Sequence, residues 1–337
     1  MNETVKSFYR VYRPQTFDAV VGQDFVVKTL VNQIANQKLG HAYLFCGTRG
    51  TGKTSVAKIF ADAVNCQHFV GGKVCGRCPW CQNPNKNLDV IEIDAASNNG
   101  VDAVRELVDS VKYPPVAGKY KVYIIDEVHM FSTAAFNALL KTLEEPPAHV
   151  IFILATTEPN KLLPTVQSRC LRFNFQNVAT EQIAGVVKNI FQKEKITADD
   201  AAIQQIAREG QGSVRDALSF ADTVAAYCGD KPITLTAINQ IVGSVDGVVF
   251  TALVRQIQNN EPGAVRQTIN NIFAASAGTD RIIAGTLAAL RDAYVTHPSP
   301  KLANALRIFA DLEPLLKYAT DPQAHFETAA LVACGAN

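Results

Sequence analysis

The sequence lacks any apolar run of the about 18 residues that a membrane-crossing helix needs, so a membrane protein is not expected. It lacks a secretory leader as well: "MNETVKSFYRVYRP" has no apolar core behind its lysine, and a cytoplasmic location is the default expectation. Its net charge is only +1, so no overall field gathers nucleic acid, although a local basic surface remains compatible with that balance. There is no internal repeat and no low-complexity linker, which argues against a solenoid or a disordered tether.

What is present is an ordinary globular balance, 47% apolar and 19% charged over 337 residues, enough for two or three domains. Of eight cysteines, Cys46, Cys170, Cys228 and Cys334 are scattered among apolar neighbours, as buried small hydrophobes are in a reducing compartment. The runs 41–46, 89–94, 121–126, 150–156 and 171–175 read as strands. Three of them are continuously apolar, as in strands covered on both faces. Helical patterns lie between them. One is "VDAVRELVDSV", with Val101, Val104, Val108 and Val111 on one face and Pro114 and Pro115 as a stop. Strand–helix alternation predicts a parallel sheet. Beyond about 178 only helical patterns remain, near 180–195, 199–209 and 213–228, and then a second group after "VGSVDG".

Residues 47–54, "GTRGTGKT", match the phosphate-loop pattern G-x-x-x-x-G-K-S/T at Gly47, Gly52, Lys53 and Thr54. The loop Gly47, Thr48, Arg49, Gly50, Thr51, Gly52, Lys53, Thr54 and Ser55 follows a strand and opens a helix. Backbone amides and the helix N-terminus can therefore cradle phosphate oxygens. Lys53 is expected at the β- and γ-phosphates of ATP, and Thr54 at Mg²⁺. A second strand, "KVYIIDEVHM", ends in Asp126 and Glu127. Asp126 can hold magnesium and Glu127 can activate water, which points to hydrolysis rather than binding alone; a polar turn is the alternative. Cys66, Cys75, Cys78 and Cys81, spaced C-x8-C-x2-C-x2-C, fit a tetrahedral zinc site, with disulfides or an iron–sulfur cluster as alternatives. Four thiolates leave no open position, so a zinc ion there would be structural. His68 could replace a cysteine but reads as a bystander.

Together "RPQTFDAVVGQ", "GTRGTGKT", "EIDAASN", "YIIDEVHM", "FNALLKTLEEPP", "LATTEPNKL", "QSRC" and "GSVRDALS" resemble the gamma/tau family of bacterial DNA polymerase III subunits, AAA+ motors of the sliding-clamp loader. The resemblance is dense over 8–220. It implies an α/β AAA+ P-loop domain with a five-stranded parallel sheet at 1–178, carrying a zinc-binding insertion at 64–84. A small helical lid domain at 179–242 and a C-terminal helical collar at 243–337 would follow. It implies zinc at the four cysteines. It implies that Thr157 senses the γ-phosphate and holds the attacking water, with Thr156 as the one-residue alternative. Arg215 would reach the γ-phosphate from the lid, and a solvated helix charge is its other reading. Arg169 would act in the neighbouring subunit's site; on "TVQSRCLRF" alone it reads as a loop charge. Val20 and Val21 fall in the stretch near adenine, with core packing as the alternative. Arg105 and Lys141 fall near the chamber for duplex DNA, but "SNNG" at 97–100 lacks the basic residues relatives often carry.

The implied partners are other clamp-loader subunits in a hetero-oligomeric ring with several gamma/tau copies, the sliding clamp, primed DNA and DNA polymerase III, with no membrane. The implied activity is ATP hydrolysis that loads the clamp. Two alternatives differ in class. A nucleotide-gated scaffold is disfavoured by Lys53 and Glu127, and a branch-migration motor is disfavoured by the cysteine insertion and the "SRC" arginine.

Overall fold

The apolar runs at 42–46, 121–126 and 150–156 fold as strands that bury side chains on both faces of one sheet, whereas those at 90–94 and 171–174 are partly exposed. All of "AYLFC" and "VIFILAT" is buried. A computed structural model of the chain describes residues 7–83, 85–242, 247–275, 278–316 and 318–335; the segment breaks expected at 84 and 243 lie outside them. The chain divides into two compact units, 1–232 and 233–337.

In the first unit, α1 (Phe8–Val11) and α2 (Asp24–Ala35) precede β1 (Ala42–Cys46), α3 (Lys53–Asn65) and the short α4 (Pro79–Gln82). Next come β2 (Val90–Asp94), α5 (Val101–Val111), β3 (Lys121–Asp126), α6 (Thr133–Glu144), β4 (Val150–Thr156), α7 (Pro164–Gln167) and β5 (Leu171–Asn174). The five strands are parallel in the order β2-β3-β4-β1-β5. Period-two alternation sorts the sheet into two cores. Leu44, Tyr123, Ile125, Phe152 and Leu154 pack with Leu107 of α5 and Leu139 of α6. Tyr43, Phe45, Val122, Ile124, Ile151 and Ile153 pack with Leu30 of α2 and Phe60 of α3. On α5 the buried face is Val104, Leu107 and Val111, with Val108 only partly covered. Steps of three and four residues keep those side chains on one stripe, and Val108 falls beside it.

The buried Asp89, just before β2, accepts hydrogen bonds from the backbone N–H groups of Val116 (2.6 Å), Ala117 (2.7 Å) and Gly118 (2.7 Å). Asp89→Ala would leave three donors unpartnered. It is expected to lower the unfolding free energy by about 3 kcal/mol in urea titration, whereas the exposed Asp109 is expected to tolerate the same change.

The lid helices α8 (Thr180–Lys193), α9 (Asp200–Glu209) and α10 (Val214–Cys228) complete the unit. Ser213 caps α10, its side chain accepting from the Asp216 amide at 3.1 Å. The N-terminal segment packs on this lid: the Phe8 amide donates to Asp222 Oδ2 at 2.9 Å, and Phe8 meets Phe191 edge-on. Burial pushes the Asp222 carboxyl up.

The second unit holds α11 (Leu235–Val242), α12 (Gly247–Gln258), α13 (Pro262–Ala275), α14 (Thr279–Thr296), α15 (Pro300–Leu316) and α16 (Pro322–Ala333). The helix α11 thus falls within this second unit. Phe250, Ile269, Leu290, Phe309 and Phe326 form the core of this bundle.

Candidate nucleotide site

Parallel pairing brings the carboxyl ends of β1, β3 and β4 to one rim, the usual ligand position in such sheets. β4 lies between β1 and β3. The loop after β1 therefore faces the residues after β3 and β4. The Gly47 amide donates to the Thr156 carbonyl at 3.2 Å.

The phosphate loop turns tightly against the lid. Gly50 has φ +76, and a Cβ there would come within 1.9 Å of Ser213 Oγ. At Gly47 a Cβ would meet the Phe175 carbonyl at 2.5 Å. Lys53 is 95% covered, and its Nζ donates to the carbonyls of Gly47 (2.7 Å) and Thr48 (2.8 Å). Burial pulls the Lys53 ammonium below its ordinary range, opposed by the Glu127 and Asp126 carboxylates. Thr51 Oγ1 donates to the Thr48 carbonyl, Thr48 Oγ1 to Asn177 Oδ1, and Arg13 Nε to Ser55 Oγ. Arg49 is exposed.

Thr54 Oγ1 donates to Asp126 Oδ2 at 2.7 Å. Glu127 takes the left-handed region, φ +46, and its amide donates to Asp126 Oδ1 at 3.0 Å. A non-glycine residue there is uncommon and aims its side chain unusually. Thr157 donates twice to Glu127 Oε2, from Oγ1 at 2.9 Å and from its amide at 3.2 Å. Thr156 is fully buried and meets His129 instead, Oγ1 to Nδ1 at 3.0 Å. The donor set fits a magnesium nucleotide: a covered ammonium and helix N-terminal amides for phosphate, and an adjacent hydroxyl and carboxylate for a hard cation.

The arginines divide. Arg169, between α7 and β5, pairs with Glu144 and donates to the Thr165 carbonyl at 2.7 Å. None of these partners is in its own phosphate loop. Arg215 lies at the start of α10 beside the loop, its Cβ 3.1 Å from where a Gly50 Cβ would sit and its guanidinium over the Tyr9 ring at 5.0 Å. Arg105 pairs with Asp102, Lys141 is exposed, and Val20 packs partly into the core. Cys170 packs against the core, and burial pushes its thiol up to about 12.

The thiols of Cys66, Cys75, Cys78 and Cys81 lie within 4.8 Å of one another. The separations Cys75–Cys81 (3.8 Å) and Cys66–Cys81 (3.7 Å) match the about 3.8 Å edge of a tetrahedron with bonds of about 2.3 Å. All four are free thiols, so no disulfide joins them. Backbone amides of Cys75, Cys78 and Cys81 donate to the sulfurs of Cys66, Cys75 and Cys78, as a metal knuckle requires. His68 is exposed and outside the cluster.

Four contributors carry no local signal in the sequence. Gln23 is buried and bridges the loop to the lid side, donating to the carbonyls of Thr51 (3.2 Å) and Gln176 (2.7 Å). Asn177 holds Thr48, Tyr9 carries Arg215, and His129 sits among the strand-end groups. The quoted stretch "RPQTFDAVVGQ" contains Gln23, but nothing local marks its partners.

Sheet order, phosphate loop and attached helical lid define an AAA+ P-loop fold. The family described as DNA polymerase III, delta subunit, matches residues 22–179, and that described as DNA polymerase III clamp loader subunit, ATPase lid domain, matches 182–230. The DNA polymerase III subunit tau of Bacillus subtilis is 44% identical over 89% of this chain and 54% of its own length. That of Escherichia coli K12 is 42% identical over 86% and 45%. The chain spans about half the length of the curated relatives it matches. The solved Thermotoga maritima RuvB Holliday junction branch migration motor shares the fold, with TM-score 0.53 and 18% identity over 73% of this chain and 79% of that one. This chain belongs to the tau/gamma family of DNA polymerase III clamp-loader subunits.

Proposed function

We propose that this chain is an ATP-hydrolysing motor of a bacterial replicative clamp loader, working in a hetero-oligomeric ring with other gamma/tau copies and further subunits. The observation that carries the reading is the meeting of Lys53, Thr54, Asp126, Glu127 and Thr157 at one sheet rim in a member of this family. Its partners are then the sliding clamp, primed DNA and DNA polymerase III, and its location the cytoplasm. Among the described residues no helix is long and apolar enough to cross a membrane.

Phosphoryl transfer leaves the protein mainly positioning and charge stabilisation to supply. Lys53 and the loop amides hold the β- and γ-phosphates. Thr54 and Asp126 would hold magnesium, which when bound neutralises phosphate charge. Glu127 accepts the proton of the attacking water, whose oxygen bonds to the γ-phosphorus as the bond to ADP breaks. Thr157 orients that water. Arg215 from the lid and Arg169 from a neighbouring copy balance the charge that develops on the leaving and transferred groups. The test is ATP turnover of the assembled loader. Clamp plus primed DNA is expected to stimulate it, and absence of stimulation overturns the reading.

Zinc is the proposed occupant of the cysteine cluster, in a closed structural role. Trp80, the sole tryptophan, lies on α4 between Cys78 and Cys81 and is 98% covered. Metal analysis is expected to find one zinc per chain. Chelation or Cys75→Ser is expected to remove it and shift Trp80 emission to the red. Zinc-free protein with unshifted emission contradicts the assignment.

A further inference from the structure

Glu127 stands on a left-handed turn, so its carboxylate is aimed by side chains around it and not by a regular element. Two residues reach it besides the phosphate-loop side. Thr157 is one, through two hydrogen bonds to Oε2. His129 is the other, with Nδ1 3.4 Å from the same oxygen. Its side chain is only 7% exposed, in the short turn Val128–Met130 that follows Glu127.

A covered imidazole is costly unless both nitrogens meet polar groups. Here both do. Nδ1 is 3.0 Å from Thr156 Oγ1 and Nε2 is 3.4 Å from Glu158 Oε1. Thr156 Oγ1 also accepts the Glu158 amide at 3.0 Å, and the Glu158 carboxylate pairs with Lys161 at 2.9 Å. The ring thus joins the residues that end β3 to those that end β4. Packing alone would call for an apolar side chain in this turn, as at Val128 beside it.

We propose that His129 is a positioning residue for Glu127. With its proton on Nδ1, that N–H is shared between the Glu127 carboxylate and the Thr156 oxygen and so ties the carboxylate to the end of β4. The inference rests on the ATPase reading above. If Thr157 turns its hydroxyl to the attacking water, Glu127 loses one of its holders. His129 then keeps the carboxylate in place, because its own anchor, Thr156, belongs to the sheet and not to the ligand. The two adjacent threonines divide the work: Thr157 faces Glu127 and Thr156 anchors the histidine.

The test uses the assembled loader with clamp and primed DNA. It compares wild type with His129→Ala, His129→Asn and His129→Gln. An asparagine amide reproduces the position of Nδ1; a glutamine amide reaches toward the place of Nε2. His129→Ala is expected to lower kcat about 10- to 100-fold, with KM and the equilibrium Kd of a fluorescent ATP analogue within about twofold, since phosphate binding rests on Lys53 and the loop. His129→Asn is expected to recover most of kcat and His129→Gln little of it. In the Glu127→Gln background His129→Ala is expected to cause no further loss, as for residues acting as a unit. Thermal melting of each variant separates misfolding from mispositioning, and the Asn-against-Gln comparison remains if the alanine variant melts early. Unchanged or raised kcat in His129→Ala, equal behaviour of Asn and Gln, or a loss mainly in Kd overturns the proposal while leaving the ATPase reading intact. A wild type that hydrolyses no ATP overturns both.

Discussion

Glu127→Gln is expected to lower ATP turnover about 10²- to 10⁴-fold while ATP still binds. Glutamine keeps the size of the side chain and can accept from Thr157 Oγ1 and the Thr157 amide, which now lie 2.9 and 3.2 Å from Oε2. It cannot take a proton from water. Removing the carboxylate also removes one charge that opposes the effect of burial on Lys53. The neighbouring Asp126 remains to serve that function and to meet Thr54 at 2.7 Å. Nucleotide affinity, read with a fluorescent analogue, is therefore expected to stay within a few-fold. Single-turnover hydrolysis should carry the whole loss. Hydrolysis at the wild-type rate would remove Glu127 from its role and leave the binding half of the site standing.

Arg169→Ala is expected to cut turnover about 10³- to 10⁵-fold at the site of the adjoining copy, the scale of an arginine supplied across an interface. Its own chain is expected to keep ATP binding, because Arg169 touches Glu144 and Thr165 and no part of its own phosphate loop. Lys53→Ala should do the reverse and disable the site that carries it. Rings assembled from both variants separate the two effects. Damage confined to the subunit that carries Arg169→Ala contradicts action in trans. Arg169→Lys adds a control: it keeps the charge and loses the planar fork, so it is expected to recover only part of the rate. The Glu144 pair means that Arg169→Ala also frees a carboxylate, and Glu144→Gln alone measures that part.

Both predictions depend on features of very different legibility. The strands were readable because runs such as "VIFILAT" are covered on both faces and show no polar interruption. Their order was not, since pairing joins residues far apart and nothing in 150–156 says that it lies between β1 and β3. The helix at 101–111 was readable in extent, whereas its inner face shifted to Leu107 once packing was known. Gln23 shows the same limit in a single residue. Its acceptors are 28 and 153 positions away, and only folding brings them together. His129 stands within "DEVHM", but a lone histidine has no spacing that marks its partners.

The sequence by itself determined the local chemistry: the phosphate loop at 47–54, the paired acids Asp126 and Glu127, and the four clustered cysteines. Each depends on a few covalently linked residues whose spacing is fixed by the backbone. Tertiary structure alone decided that Thr157 meets Glu127 while Thr156 meets His129, and that Arg169 pairs with Glu144. Successive residues at a strand end point to opposite sides, so one step along the chain exchanges one partner for the other. Which side faces which group is set by the register of the neighbouring strands, and that register is a property of the assembled sheet.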